Sequence, residues 1–172
     1  VQADGSVLFV ESRDDGVFLR CLTPDGHLYT VLGGGTDASE SPDGAPALGA
    51  SLPSGIRGMT VGPDGLVYFT TAVQVRRIKA DGTLETVAGN GWSAFAGDGG
   101  PALDASFRGL AGLGFSPDGS LYVADRSGHR VRRITTDGLI STFAGNGVGG
   151  GGTRGENGPA TAAQLRFPLV VA

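Results

Sequence analysis

The sequence predicts an all-β fold in which a unit of four short antiparallel strands recurs along the chain. The first observation is a pair of Asp-Gly turn signals in each unit, and Asp64 and Asp118 mark the same turn in two units, 54 positions apart. The second is that the apolar runs between the turns are short and rich in β-branched and aromatic residues, as is typical of strands. The third is a glycine-rich stretch that recurs at residues 88–91 and 144–147. Three copies at a period of roughly 55 residues indicate a repeat architecture.

Residues 117–147 show the unit most clearly, with the sequence PDGSLYVADRSGHRVRRITTDGLISTFAGNG. Strands are predicted for this copy over residues 112–115, 121–124, 131–134 and 139–143. The preceding copy has its matching inner strand over residues 58–61. Four short antiparallel strands joined by tight turns describe the blade of a β-propeller. Gly58 and Gly112 hold the same place in the inner strands, where a glycine suits close backbone approach.

The three predicted blades are not equally complete. The first spans about residues 4–35 and has three strands, the second spans about 56–89, and the third about 110–144. A further inner strand is predicted over residues 169–172, and an inner strand is the one that the first blade lacks. Propellers have about four to eight blades, so three blades are predicted to be half of a six-bladed propeller. Completion comes either from an identical copy that exchanges residues 169–172 or from the remainder of a longer propeller chain.

Long connectors rich in glycine and proline join the blades. A helical turn is predicted within residues 102–107 or 161–165, because Gly-Pro precedes each stretch and proline favours a helix start. The Asp-Gly pairs, two in each blade, are predicted to supply the positive φ that tight turns require. Metal binding by these aspartates is the alternative interpretation.

Residues 120–134, SLYVADRSGHRVRRI, closely resemble the NHL repeat, which is named after an Asn-His-Leu signature. His129 matches the histidine of the signature, and Gly128 stands where asparagine is usual. The stretches FAGNG and AGDGGPALDASF resemble the glycine-rich subtype of bacterial extracellular proteins and of teneurin-like or Rhs-like proteins. In the first repeat, residues 14–16 replace the histidine turn. The resemblance implies a β-propeller, usually six-bladed, that acts as a binding platform, although a minority of related propellers are enzymes.

The composition narrows the function classes. The chain has 172 residues and a net charge of −4 at pH 7, which argues against an extended nucleic-acid footprint. Cys21 is the one cysteine, so neither an intramolecular disulfide nor a cysteine-based metal site is expected. The sequence has no apolar run of about 20 residues and no recognisable signal peptide. It begins at Val1 without a methionine, which predicts a processed or excised segment.

Five residues are candidate contacts for a ligand or partner. Arg126 and Arg130 flank His129 in a turn that is predicted to lie at the same blade edge as the long connectors. Trp92 in the second connector and Arg154 in the third are predicted to share this edge. The alternatives are that His129 packs locally, that Trp92 fills a gap in its loop, and that the arginines are simply solvated.

The sequence shows no catalytic constellation, since it lacks a GxSxG-type elbow and a P-loop lysine. Two histidines in different blades do not form a zinc site, which needs three or four protein ligands. Asp98 and Asp104 are candidate calcium ligands, because carboxylates among glycines supply the oxygen atoms that calcium binds. The alternative is that these acids cap a short helical turn or accept hydrogen bonds from loop amides. We therefore predict no cofactor, with calcium as the alternative.

We predict a non-enzymatic binding or scaffold module at the extracellular side or cell surface of a bacterium. Its partner is predicted to be a protein or a second copy of the chain, which would give a homodimer. One alternative is a propeller enzyme of the lyase or lactonase type, but the inner strands at 58–61 and 112–115 offer no ligand for a channel metal. The other alternative is an RNA-binding NHL domain, which would need a basic face.

Overall fold

The computed structural model describes residues 2, 4–149 and 155–171, and within these residues the chain forms strands and two 3₁₀ turns but no α-helix. None of the helical segments described is long and apolar enough to span a membrane. The strands are β1 (Val7–Arg13), β2 (Gly16–Leu22), β3 (Leu28–Gly35), β4 (Leu48–Ser51), β5 (Gly58–Val61), β6 (Val67–Thr70), β7 (Val75–Ile78), β8 (Leu84–Ala88), β9 (Leu110–Phe115), β10 (Leu121–Asp125), β11 (Arg130–Ile134) and β12 (Ile140–Ala144).

These strands form three four-stranded sheets with the orders β1-β2-β3-β4, β5-β6-β7-β8 and β9-β10-β11-β12. We call the sheets blades 1, 2 and 3. Blades 2 and 3 are antiparallel meanders, so the predicted four-strand unit is confirmed. The all-β class and the partial β-propeller architecture are confirmed as well.

Blade 1 differs from the prediction, because it gains a fourth strand from the first connector. That strand, β4, pairs in parallel with β3 on the outer side of the blade. The connector folds back because the Gly33 N–H donates to the Ala47 carbonyl oxygen at 3.0 Å, and because the Asp37 N–H donates to Ser51 Oγ at 2.9 Å. On its inner side, β1 remains an edge strand among the residues that the structure describes.

The hydrophobic core lies between the blades in two clusters. One cluster packs Phe107 and residues from all four strands of blade 3 against blade 2, and it includes Tyr68, Val75, Leu113 and Val123. The other packs blade 1 against blade 2, through buried residues such as Leu19 and Phe69. Blade 2 is thus covered on both faces, which explains why its apolar residues do not alternate strictly with polar ones.

The sequence predicts a helical turn in one of two stretches, and a 3₁₀ turn forms after proline in both, in the second and third connectors. The two turns span Ala102–Asp104 after Pro101 and Ala160–Ala162 after Pro159. The first lies within its predicted range, and the second begins one residue before it. The Asp-Gly turns also form as predicted, because their six glycines have φ values from 77° to 87°.

The turn aspartates use their carboxylates locally. Asp81 accepts hydrogen bonds from the Thr83 hydroxyl and the Thr83 N–H, and these bonds lower the pKa of Asp81 to about 2. Asp118 accepts from the Ser116 hydroxyl and the Ser120 N–H, which lower the pKa of Asp118 to about 2 as well. Such Asx-type bonds fix the turn geometry, and metal binding by these aspartates stays an untested alternative.

The inner strands approach each other closely at glycine. A Cβ added at Gly58 would lie 2.7 Å from the carbonyl oxygen of Ala111 in β9. A Cβ added at Gly112 would lie 2.7 Å from the carbonyl oxygen of Leu169. The Gly112 N–H also donates to this oxygen at 2.7 Å. Residues 169–171 therefore run beside β9 but do not form the predicted strand within the described part of the chain, and Ala172 lies outside it.

We expect Gly112→Val to lower the free energy of unfolding by about 1–3 kcal/mol, because the side chain overpacks the contact with Leu169. Gly58→Val should cost more, because its neighbour β9 is held in a sheet and yields less than residues 169–171. Thermal unfolding of the purified variants measures both effects. Gly100→Val is the control, since a Cβ there meets its nearest atom at an ordinary 3.5 Å. Equal midpoints for the wild type and Gly112→Val would show that the site is not crowded.

Candidate functional site

A buried arginine fastens the second connector to blade 3. Arg132 on β11 is fully buried, and its Nη2 lies 2.7 Å from Asp98 Oδ1 in the connector. The guanidinium also donates to the carbonyl oxygens of Ala96 at 3.3 Å and Ser106 at 3.5 Å. Burial lowers the pKa of Arg132, and the neighbouring Asp98 acts in the opposite direction. An arginine stays charged in proteins, so the pair is a buried ion pair with one solvent-accessible partner.

The same arrangement occurs one blade earlier. Arg76 on β7 is buried, donates to Asp43 Oδ1 at 2.9 Å and donates to the Ser41 carbonyl oxygen at 2.6 Å. Asp43 belongs to the first connector, as Asp98 belongs to the second. Each connector is therefore held by an arginine of the blade that it leads into. The loops at this edge are consequently fixed by charge-assisted hydrogen bonds rather than left to move.

The aromatic ring of Phe95 adds a second attachment for the second connector. The Arg130 guanidinium carbon lies 3.7 Å from the ring centroid, and that of Arg132 lies 4.9 Å from it. Arg130 also donates to the carbonyl oxygens of Gly128 and Asn146, each at 3.0 Å. Cation–π contact and two hydrogen bonds thus hold the Arg130 side chain in one orientation.

His129 holds the third connector in place. It has a φ of 55°, and its Nδ1 accepts a hydrogen bond from the Phe167 N–H at 3.3 Å. The two rings lie with centroids 4.7 Å apart, and the Arg126 guanidinium lies 4.9 Å from the Phe167 ring. His129 therefore has the local packing role given above as one alternative, while Arg126 remains exposed beside an exposed aromatic ring.

Asp125 holds the turn that contains His129 through hydrogen bonds to backbone N–H groups. The sequence analysis did not single out this residue. It is fully buried, and its Oδ1 accepts hydrogen bonds from the backbone N–H groups of Arg108, Gly109 and Gly128. Burial raises the pKa of Asp125, and these three donors oppose that effect. The sequence signal available was an aspartate at the end of a predicted strand, directly before a turn that contains Ser-Gly.

Trp92 is exposed at the tip of the second connector, with 74% of its surface accessible. The backbone N–H of Trp92 donates to Asn90 Oδ1 at 3.0 Å, and the adjacent Ser93 Oγ donates to the Arg108 carbonyl oxygen at 3.3 Å. The loop is thus attached to the residues next to the Asp125 turn. Of the two interpretations of Trp92, the structure favours an exposed indole over a gap-filling one.

Four of the five predicted contact residues belong to this edge of blade 3. Phe95 and Phe167 join them, and Phe167 was missed because it lies outside the repeated motifs. Arg154 lies outside the described residues, so its placement stays a prediction. We use the name connector edge for the surface formed by Trp92, Phe95, Arg126, His129, Arg130 and Phe167.

The metal candidates have other contacts. Asp98 forms the ion pair with Arg132 and accepts a hydrogen bond from Thr142 Oγ1 at 2.6 Å. Asp104 is exposed at the end of the 3₁₀ turn. Within residues 2, 4–149 and 155–171, no three His, Cys, Asp or Glu side chains cluster as metal ligands would. Calcium binding at Asp98 and Asp104 stays an untested prediction.

No protein-family model matches the chain. Teneurin-1 of Mus musculus is 30% identical over 94 residues, which are 46% of this chain and 3% of teneurin-1. The similarity to teneurin is thus confined to a small part of a much longer protein.

Several solved structures are similar in fold. A protein of unknown function from Bacteroides thetaiotaomicron has a TM-score of 0.69 at 18% identity, covering 96% of this chain and 38% of that one. An auxiliary nutrient binding protein from Bacteroides ovatus has a TM-score of 0.62 at 17% identity, covering 99% and 40%. Virginiamycin B lyase from Staphylococcus aureus has a TM-score of 0.51 at 21% identity, covering 83% and 39%.

The chain spans about two fifths of the length of these three structures. At identities of 17–21% the similarity shows the fold alone, which is that of a β-propeller. Because binding proteins and an enzyme share this fold, the functional argument depends on the site and not on the fold.

Proposed function

We propose that this chain is part of a non-enzymatic, NHL-type binding module that contacts a protein or another ligand through the connector edge. The observation that carries the proposal is the exposed Trp92 indole on a loop that is hydrogen-bonded to Arg108, next to the turn that carries the exposed Arg126. Arg126 in turn lies over the exposed Phe167 ring. Tryptophan and arginine are the residues most enriched among the contacts that dominate binding energy.

Preorganisation is the second argument. The buried Arg132 holds the loop that carries Trp92, and His129 holds the loop that carries Phe167. A surface whose loops are already fixed loses less conformational entropy when it binds. The ion pair and the hydrogen bond therefore allow buried residues of blade 3 to fix the loops that would contact a ligand.

The similar proteins agree with this proposal without establishing it. The Bacteroides ovatus structure is described as an auxiliary nutrient binding protein, and teneurin-1 is similar over 94 residues. Together with the NHL-like motif around His129, they support an extracellular or cell-surface binding role. Stoichiometric zinc or calcium in the purified protein would instead favour the propeller-enzyme alternative.

The proposal also includes self-association. A homodimer would complete a propeller of six blades, and the alternative is that the blades continue within a longer chain.

Fluorescence tests the binding role directly, because Trp92 is the one tryptophan of the chain. We expect an anionic probe, heparin or a glutamate-rich peptide, to shift the Trp92 emission in a concentration-dependent manner. Arg126→Ala should weaken this binding about 5–30-fold, as expected for loss of a central contact. Lys79→Ala is the matched control, because it removes a positive charge at the opposite end of the strands. A neutral oligosaccharide serves as the uncharged comparison.

Two results would count against the connector edge. One is an emission spectrum that no probe changes, and the other is equal weakening by Lys79→Ala and Arg126→Ala. The second result would indicate a non-specific response to charge rather than recognition at this surface.

A further inference from the structure

Three exposed arginines lie at the connector end of blades 2 and 3. Arg57 directly precedes β5, Arg108 lies two residues before β9, and Arg126 directly follows β10. None of the three forms an ion pair with another residue that the structure describes. We call these three residues the arginine row, and its charges are not balanced within the described part of the chain.

Buried Thr70 joins the two strand ends that carry Arg57 and Arg108. Its carbonyl oxygen accepts the Arg57 N–H at 2.9 Å, and its Oγ1 donates to the Ala111 carbonyl oxygen of β9 at 2.6 Å. The inner strands β5 and β9 also approach each other closely at the glycine contacts described above. Arg57 and Arg108 therefore stand side by side at the beginnings of neighbouring inner strands.

Buried Asp125 joins Arg108 to Arg126. Its Oδ1 accepts the backbone N–H groups of Arg108 and Gly109, both at 3.1 Å, and Arg126 is the next residue in the chain. The Ser127 N–H donates to the Gly109 carbonyl oxygen at 3.2 Å. These bonds fix the row through backbone atoms, which leaves the guanidinium groups of Arg57 and Arg108 available for a ligand.

The place of the row in the fold is complete on both sides. It lies where blade 2 meets blade 3, and the structure describes all four strands of each of these blades. The surroundings of Arg57 and Arg108 are therefore those of two adjoining blades inside the propeller arc.

The opposite end of the same strands carries the reverse charge. The Asp-Gly turns place a carboxylate in each turn at that end, and the basic side chains there are paired with acids. These ion pairs are Arg77–Glu85 at 2.6 Å, Lys79–Asp81 at 3.3 Å and Arg133–Asp118 at 2.9 Å. Since the whole chain has a net charge of −4, the positive potential is confined to the row, and an anionic partner would be steered to this end.

We propose that the arginine row binds an acidic segment of a protein partner through its carboxylate groups. This inference rests on the proposed binding role of the connector edge, extends that surface onto blade 2 and names the chemistry of its partner. A guanidinium group binds a carboxylate through two parallel hydrogen bonds. Three such groups side by side therefore suit a segment with several aspartate or glutamate side chains.

Two observations favour a protein segment among anionic ligands. The three arginines are exposed, whereas sites for small molecules are concave and enclose most of the ligand. The loop that carries Trp92 is bonded to the row itself, because Ser93 Oγ donates to the Arg108 carbonyl oxygen at 3.3 Å. Tryptophan and arginine together are typical of the contacts that dominate protein–protein binding.

Calorimetric titration with a hexaglutamate peptide at low salt tests the row. Arg57→Gln and Arg108→Gln should each weaken peptide binding about 5–10-fold, and the double variant about 50-fold, because each removes one charged contact. Arg133→Gln is the matched control, since it removes an arginine at the opposite end of the strands and should leave the affinity unchanged.

The variants should fold normally, because the hydrogen bonds of Arg57 and Arg108 described above use backbone atoms only. Thermal unfolding midpoints equal to that of the wild type would confirm this. Any loss of peptide binding then reports on the guanidinium groups.

The outcomes separate the row from the connector edge. Unchanged affinity in the Arg57→Gln/Arg108→Gln double variant, with weaker binding by Arg126→Ala, would contradict the row and leave the connector edge its proposed role. A peptide that binds through Arg57 and Arg108 without changing the Trp92 emission would support the row and count against the role of Trp92.

Two further results would overturn the inference. One is the absence of peptide binding at low salt, in which case heparin and the neutral oligosaccharide still test the connector edge. The other is tighter binding of hexagalacturonate, which carries the same number of carboxylates on a sugar chain. That result would assign the row to an anionic polysaccharide instead of a protein segment.

Discussion

Asp98→Asn is expected to lower the free energy of unfolding by about 2–3 kcal/mol, measured by urea denaturation. The change leaves the volume nearly constant but removes the charge that balances the fully buried Arg132. A buried charge without a partner lowers the free energy of unfolding strongly. Because Asp98 is partly exposed to water, the loss should be smaller than for a fully buried ion pair. The remaining carbonyl acceptors, Ala96 and Ser106, do not carry a compensating charge.

Two controls isolate the charge. Arg133→Ala removes the neighbouring arginine, whose pair with Asp118 is partly exposed, and should have a clearly smaller effect. Combining Asp98→Asn with Arg132→Leu should recover part of the loss, because the buried charge of Arg132 is then removed together with that of its partner. If Arg133→Ala were as harmful as Asp98→Asn, the burial of Arg132 would not be the cause.

Asp98→Asn should change probe binding as well as the free energy of unfolding. Asp98 lies in the connector that also carries Phe95 and Trp92, and the ion pair with Arg132 holds this loop on blade 3. Loosening it should make the Trp92 loop more mobile before the blade unfolds. In the emission assay Asp98→Asn should therefore weaken probe binding, even though Asp98 itself does not face the probe.

Local signals in the sequence sufficed to predict the blades. The Asp-Gly turns and short β-branched runs act over a few residues, and their recurrence indicated which strands pair. These signals could not predict that Arg132 is buried whereas Arg133 is partly exposed. Both stand in one VRRI strand, and only the packing of a connector over one face buries Arg132 and leaves Arg133 partly exposed.

The first connector contains a strand that the repeat did not predict. The second connector has the sequence ALDASF at residues 102–107, and Ala102–Asp104 form a 3₁₀ turn. The first connector has the matching sequence ALGASL at residues 47–52, and Leu48–Ser51 form the parallel strand β4. Gly49 stands where the second connector has Asp104, and it adopts a φ of 81°. A single glycine therefore allows a different backbone path, which a comparison of motifs does not reveal.

The last structural feature with a large expected effect is a glycine that follows the outer strand in blades 2 and 3 and lies within β3 in blade 1. Gly33, Gly89 and Gly145 are spaced by 56 positions and have φ values of 103°, 98° and 91°. A Cβ at any of them would overlap a backbone carbonyl oxygen, which is that of Val17 for Gly33, Val73 for Gly89 and His129 for Gly145. Both the backbone conformation and the contact therefore require glycine.

We expect Gly89→Ala to lower the free energy of unfolding by about 2–5 kcal/mol, because a left-handed conformation and an overpacked contact add up. Gly91→Ala is the matched control two residues away, since Gly91 has a φ of 87° but no atom within 4 Å of an added Cβ. It should show the conformational cost alone, about 1–2 kcal/mol. The difference between the two variants in urea denaturation then measures the close approach of the outer strand to Val73. Equal losses would mean that the backbone relaxes around the methyl group, and the outer strand would then not be fixed at this point.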